Sequence, residues 1–204
     1  MLINSRSLFV LSYLFLILGF YFGEDLNGNA KEDYIGQFHI IEEFAKNPIY
    51  AFENYSSLEG GLSRQSPMFF YLISILYKIL PSSDLLRFLN LNLNFLSIFI
   101  FYKCISLIFD NQKKLLITLI SIIIVFSPSF RSIAIWPNGI NLGLLFFLLS
   151  LFFFLKFKNT EEEKIKFKYA ILNTLFLAFS SYISPNFSVF VIFFLYNYFF
   201  SFNK

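Results

Sequence analysis

The sequence predicts an all-α protein, a polytopic transmembrane bundle of about six spans whose first outer loop carries interfacial helices. Three observations predict it. The 204 residues are 57% hydrophobic and only 14% charged, with a mean hydropathy of +0.65, which is more apolar surface than a soluble domain can hide. Apolar runs recur at roughly 8–22, 67–80, 88–109, 115–130, 139–155, 169–183 and 186–200. Between the first run and the second, residues 24–66 hold eight of the thirteen carboxylates, Glu24, Asp25, Glu32, Asp33, Glu42, Glu43, Glu53 and Glu59. The whole chain, 1–204, reads as one transmembrane domain, and 23–84 as its outer loop.

The first run follows a single basic residue, Arg6, and ends Gly-Phe-Tyr-Phe-Gly without an Ala-x-Ala-like cleavage site. It reads as a retained signal-anchor helix with a cytoplasmic N-terminus. Beyond it, Leu26-Asn27-Gly28-Asn29 is a turn. Tyr34, Phe38, Ile41 and Ala45 recur at helical spacing opposite Glu42, Glu43 and Lys46, so the spacing predicts an amphipathic helix from Tyr34 that rests on the bilayer surface. Asn47-Pro48 ends it.

The run 67–80 decides the topology. Its fourteen residues reach about 21 Å as a helix, against a hydrocarbon core of about 30 Å. With this run lying along the outer interface, the cytoplasmic side collects ten cations: Arg6, Lys103, Lys113, Lys114, Lys156, Lys158, Lys164, Lys166, Lys168 and Lys204. The outer side keeps six, Lys31, Lys46, Arg64, Lys78, Arg87 and Arg131. With the run crossing, the same sequence gives four inside and twelve outside. The positive-inside rule selects the first arrangement. Ser82-Ser83-Asp84 then caps the next span, Asn90 and Asn94 share a face that hydrogen-bonds a neighbouring helix, and Trp136 beside Pro137 fits an interfacial anchor. The Lys/Glu cluster at 156–168 is a solvated cytoplasmic loop, and Ser184-Pro185-Asn186 separates the last two runs.

Several functions are excluded at this level. A net charge of +3 is too small to suggest nucleic acid. One histidine and one cysteine make no zinc pattern, and Cys104, inside an apolar run, reads as a small buried hydrophobe.

The candidate chemistry sits in the outer loop. Asp33 stands a few residues beyond the first span, where a carboxylate can serve as general base toward a hydroxyl at the membrane surface. It equally suits the N-cap of the helix predicted from Tyr34, and the two roles are compatible. Asp25, beside Glu24, is the second candidate base; its other reading is a solvated collar at the helix end. His39 lies about 240° round a helix from Asp33 and is placed to pair with Glu43; it is a candidate ligand contact. Arg64 and Arg131, at the outer face, can clamp a lipid phosphate by paired hydrogen bonds or snorkel to headgroups.

Taken in order, these segments resemble the membrane-embedded GT-C glycosyltransferases, which include the lipid-linked aminoarabinose transferases and the protein mannosyltransferases. The resemblance is carried by Gly23-Glu24-Asp25 and Glu32-Asp33-Tyr34 in the first outer loop, and by Ser66-Pro67-Met68-Phe69-Phe70-Tyr71, similar to His-Pro-Pro-Leu-x-Tyr. Arg87-Phe88-Leu89-Asn90 is similar to Arg-Leu-Leu-Asn, and Ser127-Pro128 with Arg131 to Pro137 completes the order. Two departures stand out: Ser66 replaces a frequent histidine, and Asn138 and Asn141 lie where many members carry a second acidic residue. The resemblance implies transfer of a sugar from a polyprenyl phosphate donor to a glycan, lipid or protein acceptor, with inversion, at the outer face of the cell membrane. It implies Asp33, then Asp25, as base, Arg64 and Arg131 as phosphate ligands, and His39 and Tyr71 as further substrate contacts. It implies neither a metal nor another cofactor. Members of the class are longer, so the resemblance also reads this chain as their N-terminal portion, truncated or inactive.

The competing reading is a non-enzymatic polytopic membrane protein, either a transporter or flippase component or an assembly subunit. Transporters carry ionisable residues well inside their spans, whereas these spans hold asparagine and the carboxylates crowd a surface loop.

Overall fold

A computed structural model describes residues 4–26, 30–58, 65–109 and 113–202. Every regular element among them is helical. Among the described residues eleven α-helices follow one another: α1 (Ser5–Tyr21), α2 (Ala30–Lys46), α3 (Pro48–Glu53), α4 (Tyr55–Leu58), α5 (Pro67–Ile79), α6 (Ser83–Ile108), α7 (Lys114–Ile122), α8 (Pro128–Ile135), α9 (Gly139–Lys158), α10 (Glu163–Ile183) and α11 (Phe190–Phe202). Arg64 and the turn at 27–29 lie outside the described residues.

Local chemistry sets most of the boundaries. Asn4, Asn47, Ser66, Ser82, Ser127 and Asn138 each accept a backbone N–H as helix caps, satisfying donors that a helix start leaves orphaned. Pro48, Pro67 and Pro128 occupy first-turn positions, where the missing N–H costs nothing.

Two elements differ from expectation. α2 starts at Ala30 rather than Tyr34, which puts Asp33 inside its first turn and not at the cap; there it complements the helix dipole. The run 115–130 is not one straight helix. α7 tightens into a 3-10 turn over Ile123–Phe126, and α8 leaves it at 75°. Pro128 forces this, because it disfavours helical geometry at the residue before it, and Ser127 is extended at φ −74°, ψ 121°.

α6 and α9 are long and apolar enough to cross a membrane, and the bent pair α7–α8 is a third candidate counted as one broken span. α1 and α5 are shorter apolar helices. The outward faces of α1 (Val10, Leu11, Leu14, Leu18) and α11 (Ile192, Leu195, Tyr196, Phe199) are exposed hydrophobics, as expected of surfaces bathed in lipid rather than water.

The packing fixes relative directions. Phe20 touches Phe88, Tyr13 bonds Asn92, and Phe9 touches Tyr102, so α1 and α6 are antiparallel. The intervening segment, α2 to α5, therefore begins and ends at the same end of the bundle. Asn141 meets Asn94, and Asn159 reaches the carbonyl of Leu107, so α6 and α9 run parallel. Ser180 bonds Gly143 and Asn173 bonds Ser150, so α10 returns antiparallel to α9.

α2 and α5 form a hairpin at the end of the bundle where α1 stops. Ile40, Ile41, Phe44, Phe69, Phe70 and Ile73 are buried in one cluster, and Phe38–Tyr77 and Phe44–Tyr71 contacts mark its two ends. α5 is thus roofed by α2 rather than lying alone on a surface.

The asparagines inside the bundle do tie helices together. Asn90 donates to the carbonyls of Ile133 and Ala134 at the end of α8, and Asn94 accepts from Asn141 of α9 at 2.6 Å. Cys104 is buried, as a small hydrophobe in the apolar core.

Candidate functional site

The site is built where α1 ends. Gly23 has φ +61°, a left-handed position that favours glycine. Gly23 N–H donates to Phe20 and Glu24 N–H to Gly19, the paired bonds of a Schellman cap. This turn folds Glu24 back over the last turn of α1, close enough that a Cβ on Gly19 would come within 2.8 Å of Glu24 Oε2.

α8 receives the loop. Arg131 Nε donates to Glu24 Oε2 at 2.8 Å, and its Nη2 donates to Oε1. Nη1 donates to the carbonyls of Val125 and Phe126 at 3.2 and 3.3 Å, acceptors that the bend at Ser127–Pro128 leaves without helical partners. The pair is largely withdrawn from solvent, with side chains 13% and 16% exposed. Leu26 N–H donates to Ser132 Oγ at 2.9 Å, and Trp136 Nε1 donates to the Glu24 carbonyl at 3.1 Å. Three side chains of one short segment hold residues 24–26.

Trp136 continues the network on its ring face. The Arg87 guanidinium stacks on it at 3.7 Å and lies 5.0 Å from the Phe20 ring, a cation–π geometry. Arg87 Nη1 donates to Asp84 at 2.9 Å, while Nε is buried and finds no acceptor among the described residues. Tyr34 packs against Trp136 and its hydroxyl lies 3.2 Å from Ser83 Oγ. Burial raises the Tyr34 phenol pKa above its ordinary value, opposed by the bond to Ser83.

A cleft of about 410 Å³ opens beside this latch, lined by Phe15, Leu18 and Phe22 on one side and Glu24, Asp25 and Arg131 on the other. Asp25 is half-buried, and its Oδ1 is withdrawn from solvent without a donor among the described residues.

The structure separates the residues that the sequence nominated. Asp25 and Arg131 come together in the cleft. Asp33 is exposed on α2 and touches neither. Glu24 and two carbonyls occupy four of the five N–H donors of Arg131, so it presents no free two-pronged fork to a phosphate. His39 does not pair with Glu43, which bonds Lys46 instead. Its Nδ1 faces the Gly36 carbonyl at 2.9 Å and its Nε2 the Leu58 carbonyl at 3.1 Å, so it ties α4 to α2. Tyr71 packs between Phe44 and Phe52. Ser66 caps α5 where the resemblance expects histidine, Asn138 caps α9, and Asn141 is buried on Asn94. Trp136 is not a headgroup anchor; it is 5% exposed and bound to the loop.

Glu24 and Ser132 are the residues that sequence reasoning missed. The signal available for Glu24 was its place after Gly23 at the end of the first apolar run, together with a lone arginine following a proline break.

No grouping of three or more His, Cys, Asp or Glu side chains suited to a metal occurs among the described residues. Compared with family models, with curated proteins and with solved structures, the chain matches none.

Proposed function

We propose that this chain forms the acceptor-activating part of a membrane glycosyltransferase that uses a polyprenyl phosphate sugar at the outer membrane face, with Asp25 rather than Asp33 as general base. One observation carries the reading: Asp25 lines a cleft that is apolar on its α1 side and charged on its loop side, and one of its carboxylate oxygens has no described donor. The proposal gives that unpaired oxygen a substrate hydroxyl as its donor, and the apolar wall suits an isoprenoid chain. Because Arg131 is engaged by Glu24, the phosphate role passes to Arg87, whose guanidinium stacks on the Trp136 ring that bonds the loop.

The reading includes six crossings, by α1, α6, α7–α8, α9, α10 and α11, with the α2–α5 segment on the outer side. The antiparallel pairing of α1 with α6 supports it, since a single crossing by α5 would make the two parallel. The parallel pairing of α6 with α9 supports a return crossing by the bent pair between them.

The test is transfer of a radiolabelled sugar from polyprenyl phosphate in native membranes. Asp25→Asn lowers the rate by about 10²- to 10⁴-fold, the usual worth of a general base, while Asp33→Asn stays within a few-fold of the parent. Loss with Asp33→Asn alone returns the base to α2. Unchanged transfer with both moves the base to another residue, whereas transfer no higher than in membranes lacking the protein favours the non-enzymatic alternative.

A further inference from the structure

The two helices best suited to crossing the membrane leave a groove between them that the outer loop does not explain. It measures about 630 Å³ and is lined from α6 by Leu96, Phe99, Ile100 and Leu107 and from α9 by Leu149 and Phe152, among others. Lys103 and Lys156 also line it. Since α6 and α9 run parallel, both lysines lie toward the same end, five residues before the end of α6 at Ile108 and two before the end of α9 at Lys158.

Neither ammonium has a carboxylate partner among the described residues. Each folds back over a ring that lies in or beside the groove, Lys103 over Phe99 at 5.1 Å and Lys156 over Phe152 at 5.7 Å. The lysine stems thereby extend the apolar wall while their charges mark its end. An elongated apolar channel on the lipid-facing side of two spans, closed at one end by two unpaired cations, is complementary to a single kind of membrane component: an acyl chain attached to an anionic phosphodiester.

We infer that this groove binds an anionic phospholipid, its acyl chain along Leu96, Phe99 and Phe152 and its phosphate between Lys103 and Lys156. The inference is independent of any sugar transfer. It places the lipid in the leaflet at the C-terminal ends of α6 and α9, the side that the lysine distribution assigns to the cytoplasm. Charge complementarity selects the occupant: a zwitterionic lipid fills the channel equally well but gains nothing from the paired lysines.

The experiment is native mass spectrometry of the purified, delipidated protein titrated with phosphatidylglycerol or phosphatidylcholine of identical acyl chains. The first phosphatidylglycerol binds more tightly by about 5- to 25-fold, one lysine accounting for roughly fivefold. Lys103→Gln with Lys156→Gln brings the ratio near one, and either single change gives an intermediate value. Lys164→Gln with Lys166→Gln, which removes the same charge from α10, leaves the preference in place. Ser106→Phe, which fills the groove without touching its charge, weakens both lipids. Each variant is compared only where it elutes as a monodisperse helical species, and the single lysine changes stand in for a double variant that does not. Equal affinity of the parent protein for the two lipids overturns the proposal. So does loss of the preference in the α10 variant, or unaltered binding in Ser106→Phe.

Discussion

Two polar regions of this bundle solve the same problem with different chemistry. Where α1 ends, a full ion pair, Glu24 with Arg131, is held by carbonyl acceptors and a neighbouring indole. Halfway along α10, Asn173 is fully buried and uses neutral bonds alone, donating to Ser150 O and Oγ and accepting from Tyr198. The expense of a charge in an apolar medium is the reason. A carboxylate and a guanidinium are tolerated at a helix end, beside a cleft, whereas mid-helix positions admit only groups that are neutral from the start. The gradient also shows where ionised groups are tolerated: the charges gather at the end of α1, and the amide knot holds helices.

The sharpest way to break the contrast is Arg131→Ala. It strands the Glu24 carboxylate and frees two backbone carbonyls, and should cost about 3–4 kcal/mol, the lower part of the range for breaking a buried pair. The loss is read from unfolding in mixed micelles. Asn173→Leu should cost less, about 1–2 kcal/mol in the same assay, since interhelical hydrogen bonds in membranes are individually modest. An Asn173 loss exceeding that of Arg131 would invert the comparison. Gly23→Ala sharpens it by straining only the turn at φ +61°, for about 1 kcal/mol, and should loosen the loop without disturbing α9–α10 packing. The smallest effect belongs to His39→Ala, about 0.5 kcal/mol for an exposed tether, seen as faster proteolysis within α3–α4 at unchanged global stability.

The sequence and the structure agree most closely on the helical class and least on partnership. Lysine asymmetry expects residues 67–80 to leave the chain's direction unreversed; α1 and α6 are antiparallel in the structure, and the membrane sidedness belongs to the proposal. Asn90 and Asn94 were legible as a helix-bonding face because their spacing puts them on one side. The Glu24–Arg131 latch was not legible, because the two residues are 107 positions apart and either could be a solvated surface charge. Asp33 misled for a physical reason. A carboxylate before an amphipathic segment looks like a cap, but α2 extends back to Ala30, and periodicity fixes the face of a helix better than its first residue. Arg87 carried its signal only through the Arg-Phe-Leu-Asn segment, and its stacking on Trp136 depends on α8 turning 75° away from α7.

That stacking has a practical consequence. The chain contains a single tryptophan, so its intrinsic emission has one source. The indole N–H is bound to the loop backbone and its face to a guanidinium. Any event that lifts residues 24–26 from α8 exchanges that surrounding for solvent and shifts the spectrum to the red. The unlabelled protein therefore carries its own optical gauge of whether the acidic loop is seated.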